Sequence, residues 1–153
     1  MDIPSVCYSP IDIANYFLTY TDEEAGEFFS NLKLQKLVYY AQGFSLALND
    51  APLFQDSIEA WAHGPVIPGL YHHFKNYGAA AIEFSKDFDV NKIDEKTREL
   101  LNEVYKVYGQ FSAWKLRNLS HEDLPYIEAY ASPSKIITTE SMRSYFKTQL
   151  KDA

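Results

Sequence analysis

The spacing of apolar residues along the chain predicts short amphipathic helices. In the clearest stripe, successive apolar residues lie three or four positions apart, which places their side chains on one face of a helix. That stripe consists of Leu34, Leu37, Val38, Ala41, Phe44 and Leu48. Asn31 is placed to cap this helix, and Pro52 ends the segment soon after Asn49.

Residues that favour helix starts precede the other periodic segments. Ser, Thr and Asp side chains accept hydrogen bonds from the first free backbone N–H groups of a helix, and Pro suits the first helical position. The residues in question are Ser9 with Pro10, Pro68, Asp94, Ser112, Pro125, and Thr138 or Thr139. Each is followed by apolar residues at helical spacing, so we expect six or seven helices in all.

Two short stretches depart from the helical period. Residues 53–62 hold apolar pairs separated by polar residues, which predicts a small β-hairpin, and His63-Gly64-Pro65 is expected to form a turn after it. Ile136-Ile137 is expected to be extended. The fold class predicted is therefore mainly α, a compact single domain over residues 1–153 with a minor β-hairpin element.

The charge of the chain disfavours nucleic acid as a partner. Its net charge is −7, and residues 1–30 contain six acids and no Lys or Arg. A nucleic-acid binder needs a positive field to neutralise phosphates. The acidic stretch has two interpretations, a solvated surface or a docking face for a basic partner, and the first is favoured.

Cysteine usage and hydropathy indicate a cytoplasmic protein. Cys7 is the single cysteine, so no intrachain disulfide can form, as is typical of a reducing compartment. The first ten residues, MDIPSVCYSP, lack the basic and apolar regions of a signal peptide. The longest apolar run, residues 37–41, is far too short to span a membrane.

No motif predicts an enzyme, a metal site or a cofactor. The sequence has no HExxH, CxxC, GxSxG or glycine-rich phosphate-binding pattern. A hydrolase built around His63 and His121 remains a weaker hypothesis. A zinc site would need those two residues to converge with His72 or His73 and a carboxylate through folding alone.

The segment around the predicted turn is the candidate binding site. Gly64 and Pro65 restrict the backbone beside large aromatic residues, which lose little rotamer entropy on binding. The predicted binding residues are Trp61, His63, Tyr71 and Phe74. The same features also describe a buried structural corner, and that interpretation is slightly favoured.

Several segments, taken together, resemble one protein family. Residues 32–43, LKLQKLVYYAQG, are followed by Pro52-Leu53-Phe54, Ile58-Glu59-Ala60-Trp61 and His63-Gly64-Pro65-Val66 in the order typical of that family. Leu119-Ser120-His121 and Pro125-Tyr126 resemble its later segment, with Ser120 replacing the usual Thr and Tyr126 the usual Trp. From about Ser9 to Phe146 the chain resembles the Panacea antitoxin domain of SocA-like and GepA-like phage-associated proteins.

The resemblance implies a helical domain that neutralises a protein toxin encoded in a neighbouring gene, by direct binding. It also implies an adaptor role as an alternative, because one family member delivers its toxin to a protease. A transcription-linked regulatory domain of a phage-associated operon is the competing function, since related domains occur fused to DNA-binding modules. No separate DNA-binding module is visible in this chain.

Overall fold

The computed structural model describes residues 7–84 and 86–150. The prediction that the N-terminal segment is not a signal peptide concerns residues 1–10, and residues 1–6 of that segment lie outside the described range. Within the described residues the chain forms seven α-helices and three short strands. The helices are α1 (Pro10–Leu18), α2 (Asn31–Asn49), α3 (Pro68–His73), α4 (Glu95–Tyr108), α5 (Ala113–His121), α6 (Leu124–Tyr130) and α7 (Thr139–Thr148). The strands are β1 (Ile58–Trp61), β2 (Gly64–Val66) and β3 (Ile136–Ile137).

Helix α2 is the centre of the fold and is buried on every side. It contacts α1, α3, α4, α5, α7 and strand β2. Its buried positions include the first four residues of the predicted apolar stripe, from Leu34 to Ala41. They also include Gln35, Lys36 and Gln42, whose polar side chains would lie in solvent on an amphipathic surface helix. The prediction of an amphipathic helix is therefore wrong for most of α2, because neighbouring elements cover its polar side as well.

Buried amides on α2 fix the irregular segments around it. Gln42 donates from Nε2 to Phe54 O (3.0 Å) and accepts from the backbone N–H of Leu53 (2.7 Å). Gln35 accepts from the backbone N–H of Ile67 (2.9 Å). A buried backbone group without a partner is costly, so these side chains supply the bonds that a regular sheet would otherwise provide.

The C-terminal helix packs closely on α2 because Gly43 leaves room for it. A Cβ atom on Gly43 would lie 2.3 Å from Cε2 of Phe146, which is fully buried. Aromatic rings of Tyr39, Tyr40 and Phe44 surround Phe146 with centroid separations of 4.9–5.9 Å. Aromatic packing of this kind anchors α7 to the core.

The small sheet lies later in the chain than the sequence predicts. Strands β1 and β2 form an antiparallel hairpin with Trp61 opposite Gly64, and β3 pairs antiparallel with the other edge of β1. The predicted hairpin over 53–62 is therefore displaced, and Gly64 and Pro65 belong to a strand. Pro65 is tolerated because β2 is an edge strand, where a missing N–H breaks no ladder bond on the open side.

The predicted fold class is confirmed, with local differences at helix ends and faces. Ser30, not Asn31, caps α2, through a bond from the backbone N–H of Lys33. Leu48, predicted on the apolar stripe, is 56% exposed. No helix among the described residues is long and apolar enough to cross a bilayer.

Candidate functional site

The turn of the β-hairpin is held over a buried lysine. Gly64 has φ 116°, a left-handed conformation that L side chains rarely adopt, and a Cβ there would lie 2.6 Å from Cε of Lys36. Lys36 is fully buried and donates from Nζ to the carbonyl oxygen of Pro65 (3.1 Å). Burial, with a smaller contribution from Arg117, lowers the pKa of Lys36 to about 7.

Side chains of α5 and α6 bind the carbonyl groups of the same turn. His121 places Nε2 2.8 Å from Ala62 O and Nδ1 2.7 Å from Arg117 O. A neutral imidazole donates to one of these two acceptors, whereas the imidazolium donates to both. The Tyr126 hydroxyl donates to Trp61 O (2.5 Å), so the Tyr in place of the usual Trp still contacts the hairpin, through its hydroxyl.

A groove of about 280 Å³ opens beside the hairpin. It is lined by Asn31, Leu32, Gln35, His63, Tyr71, Lys75, Gly78, Ala79, Trp114 and Arg117, and we call it the hairpin groove. Trp61 supports its wall, with its ring centroid 5.1 Å from that of Tyr71 and 6.0 Å from that of His63. The Trp61 indole N–H is already used, since it donates to Glu59 (2.9 Å).

An exposed tryptophan and an arginine form one side of the hairpin groove. Trp114 on α5 is 63% exposed, the largest exposed fraction among the big apolar side chains that the structure describes. The guanidinium carbon of Arg117 lies 4.5 Å from the centroid of the Trp114 ring, which is a cation–π contact. An exposed indole paired with Arg is typical of protein-binding surfaces, where both residue types are enriched.

The electrostatic environment of His63 is positive. Burial lowers the pKa of His63, and the charges of Lys36, Arg117 and His121 lower it further. Its Nδ1 is buried and has no hydrogen-bond partner among the described residues. The ring is therefore held mainly by packing, in surroundings that favour its neutral form.

The structure brings together three of the four predicted binding residues. Trp61, His63 and Tyr71 form one half-buried aromatic cluster at the hairpin groove. Phe74 is 6% exposed, belongs to the core and does not line the groove. Trp114 and Arg117 were not among the predicted binding residues, although an aromatic residue and a cation three positions apart on a helix are a recognisable signal.

A second buried ionisable cluster lies one helical turn further along α2. Asp123 is buried and accepts hydrogen bonds from the hydroxyls of Tyr145 (2.8 Å) and Tyr39 (3.1 Å). Burial raises the pKa of Asp123 to about 6, although these hydroxyls favour its charged form. We call this set the tyrosine–aspartate cluster.

The geometry gives no support to the hydrolase hypothesis. Both ring nitrogens of His121 face backbone carbonyls, so that ring is not free to take a proton from a nucleophile. Ser120 is fully buried and donates to Arg117 O (3.0 Å). Among the residues described, no three His, Cys, Asp or Glu side chains are placed to hold a metal ion.

Comparison with known proteins identifies similar sequences. Residues 34–125 match the model of the family described as "Antitoxin SocA-like, Panacea domain". The chain is also similar to the protein named Antitoxin SocA of Caulobacter vibrioides, with 35% identity over 102 residues, which cover 60% of this chain and 54% of the relative. The chain thus spans about half the length of that relative. No solved structure matches the chain.

Proposed function

The chain belongs to the SocA-like Panacea antitoxin family, and from that membership we propose that it neutralises a protein toxin by binding it directly in the cytoplasm. The toxin is expected to be encoded in a neighbouring gene. The relative from Caulobacter vibrioides is named an antitoxin, and the proposal extends that function to this chain. The proposed binding site is the hairpin groove, together with Trp61, which supports its wall.

The observation that carries the proposal is the exposed Trp114 beside a preformed groove. The Trp114 ring is 63% exposed, so it presents apolar surface that a partner can cover. Interface energy concentrates in a few Trp, Tyr and Arg residues that fit into pockets. Trp114, Arg117 and Tyr71 supply these three residue types at one site.

The rigid support beneath the groove favours binding over a purely structural role for the turn. Lys36, His121 and Tyr126 fix the hairpin through backbone carbonyls, so the aromatic cluster is ordered before a partner arrives. A preorganised surface loses less entropy on association. Phe74 belongs to the core and is not part of the proposed binding surface.

An adaptor function would need a second surface, and the fold offers one. Helix α6 and strand β3 expose Leu124, Ile127, Tyr130 and Ile136, each at least 42% exposed. These residues lie outside the lining of the hairpin groove. We include delivery of the bound toxin to a protease as the finer form of the proposal, with this apolar surface as the protease contact.

The proposal is tested by co-expression in a bacterial host. Each neighbouring open reading frame is induced alone and together with this chain, and growth is measured. We expect one of these genes to stop growth and the chain to restore it, with complex formation seen on co-purification. If no neighbouring gene is toxic, or if rescue occurs without any complex, the proposal is wrong.

A further inference from the structure

The lining of the hairpin groove is positive, although the chain as a whole carries a net charge of −7. Its charge comes from Lys75 and Arg117, since the surroundings of His63 favour the neutral imidazole, and none of its lining residues is Asp or Glu. Neither Lys75 nor Arg117 belongs to an ion pair within residues 7–84 and 86–150. The positive charge of the groove is thus not neutralised by the described part of the chain.

The Arg117 side chain is positioned to bind a carboxylate. Its guanidinium lies against the face of the Trp114 ring, and one of its nitrogens donates to Asn118 (3.1 Å). Stacking on a ring occupies the face of the guanidinium and leaves other N–H groups at its edge. Those donors match the two oxygens of a carboxylate, a geometry that a lysine does not reproduce.

The buried Lys36 behind the groove adds to this positive field when it is protonated. Lys36 is fully buried beneath the hairpin, and the charges that act on His63 are those of Lys36, Arg117 and His121. Charges at a partly enclosed site are less screened than charges in open water. A negative group entering the groove is therefore attracted by Lys75 and Arg117 in its lining, and by Lys36 when Lys36 is protonated.

The size and setting of the groove favour a protein over a nucleic acid. A volume of about 280 Å³ accommodates a few side chains and not a continuous polyphosphate backbone. A long polyanion would extend beyond the groove over a chain of net charge −7, whereas a short acidic segment stays within the positive lining. Tyr71, Leu32 and Trp114 also give the groove apolar walls, which suit a segment that mixes acidic and apolar residues.

We infer that the hairpin groove binds an acidic segment of the partner protein, whose carboxylate is held by Arg117 and Lys75 while an apolar side chain packs on Trp114. This inference rests on the proposed function for the identity of the partner as a toxin. It specifies the chemistry of the partner, which the family does not supply.

The inference is tested with synthetic probes on the full chain. A short labelled peptide of alternating Glu and Leu, its Lys and Leu counterpart, and a single-stranded DNA oligonucleotide are titrated separately. Binding is followed by fluorescence anisotropy and by the indole N–H signal of Trp114 in nuclear magnetic resonance spectra. We expect the acidic peptide alone to bind and to shift that signal, with an affinity that falls as salt rises.

Matched variants assign the contact to particular side chains. Arg117→Gln combined with Lys75→Gln is expected to weaken acidic-peptide binding about tenfold or more, because two charge-assisted bonds are lost. Lys115→Gln is the control, since Lys115 is exposed on the same helix but does not line the groove. Arg117→Lys is expected to lie between the wild type and the double variant.

Several outcomes would overturn the inference. They are no signal change with the acidic peptide at millimolar concentration, equal or stronger binding of the basic peptide or the oligonucleotide, and an equal loss in Lys115→Gln. In the co-expression assay, rescue that needs Trp114 but not Arg117 and Lys75 would remove the inference and leave the antitoxin function standing. If the chain bound the acidic peptide specifically but neutralised no product of a neighbouring gene, the binding chemistry would stand and the antitoxin function would be contradicted.

Discussion

The hairpin groove and the tyrosine–aspartate cluster both lie beside buried ionisable groups on or near α2. They differ in whether their charged side chains have partners among the described residues. In the cluster, the carboxylate of Asp123 is paired with the hydroxyls of Tyr39 and Tyr145. In the groove, Lys75 and Arg117 have no acidic partner among the described residues, and Trp114 is largely exposed. The cluster is thus complete within the described part of the chain, as expected of scaffold, whereas the groove has the unpaired groups that the proposed function assigns to a partner.

Removing the carboxylate of the cluster is expected to give the largest loss of stability. Asp123→Ala leaves the hydroxyls of the buried Tyr39 and the half-buried Tyr145 without their acceptor and opens a small cavity. We expect the free energy of unfolding to fall by about 3 kcal/mol, from urea denaturation. Tyr145→Phe, which removes one donor from the same network, should cost about 1 kcal/mol. Equal, small losses in both variants would show that the cluster is not a scaffold element.

The hairpin turn is expected to be the next most sensitive position. Gly64→Ala places a Cβ 2.6 Å from the buried Lys36 side chain at φ 116°, and we expect a loss of roughly 2–3 kcal/mol by thermal unfolding. Gly26→Ala is the matched control, because Gly26 also has positive φ but has open space around it. The control should lose about 1 kcal/mol. Identical losses would mean that backbone conformation alone, and not the buried lysine, makes Gly64 necessary.

The two buried ionisable groups should give opposite dependences of stability on pH. The pKa of Asp123 is raised from 3.8 to about 6, so its contribution to stability is complete below pH 3.8 and is lost as the pH rises to about 6. The pKa of Lys36 is lowered from 10.5 to about 7, so its contribution is lost as the pH falls from 10.5 to about 7.

Two variants separate these effects in denaturation curves measured from pH 4 to pH 9. Relative to the wild type, Asp123→Asn should lose the dependence on the acid side, and Lys36→Met should lose the rise in stability between pH 7 and pH 9. An unchanged profile in Lys36→Met would mean that Lys36 remains charged in the folded protein throughout this range.

Local chemistry explains why most helix starts could be predicted from the sequence. Ser9, Asp94, Ser112 and Thr138 cap their helices through side-chain oxygens, as predicted. Capping depends on the first few residues of a helix alone, so sequence carries that information directly. The family was also predictable, because its motifs retain their order along the chain.

Features that depend on tertiary contacts were predicted poorly. The apolar stripe of α2 was predicted, but the burial of Lys36 and Gln42 beside it was not, because the hairpin and the preceding loop cover these residues. Gly64 and Pro65 suggested a turn and instead form an edge strand. Trp114 reaches the hairpin groove only because α5 packs on α2 and β2, a juxtaposition that no local pattern encodes.

The most direct test of the account measures the affinity of the chain for the toxin it neutralises, by isothermal titration calorimetry, in Trp114→Ala and Val107→Ala. Both side chains are large, apolar and at least 49% exposed, so both variants should keep the stability of the wild type within about 0.5 kcal/mol. The account predicts that Trp114→Ala binds the toxin about tenfold more weakly or worse, with Val107→Ala unchanged. Wild-type affinity in Trp114→Ala would contradict the assignment of the hairpin groove as the binding site.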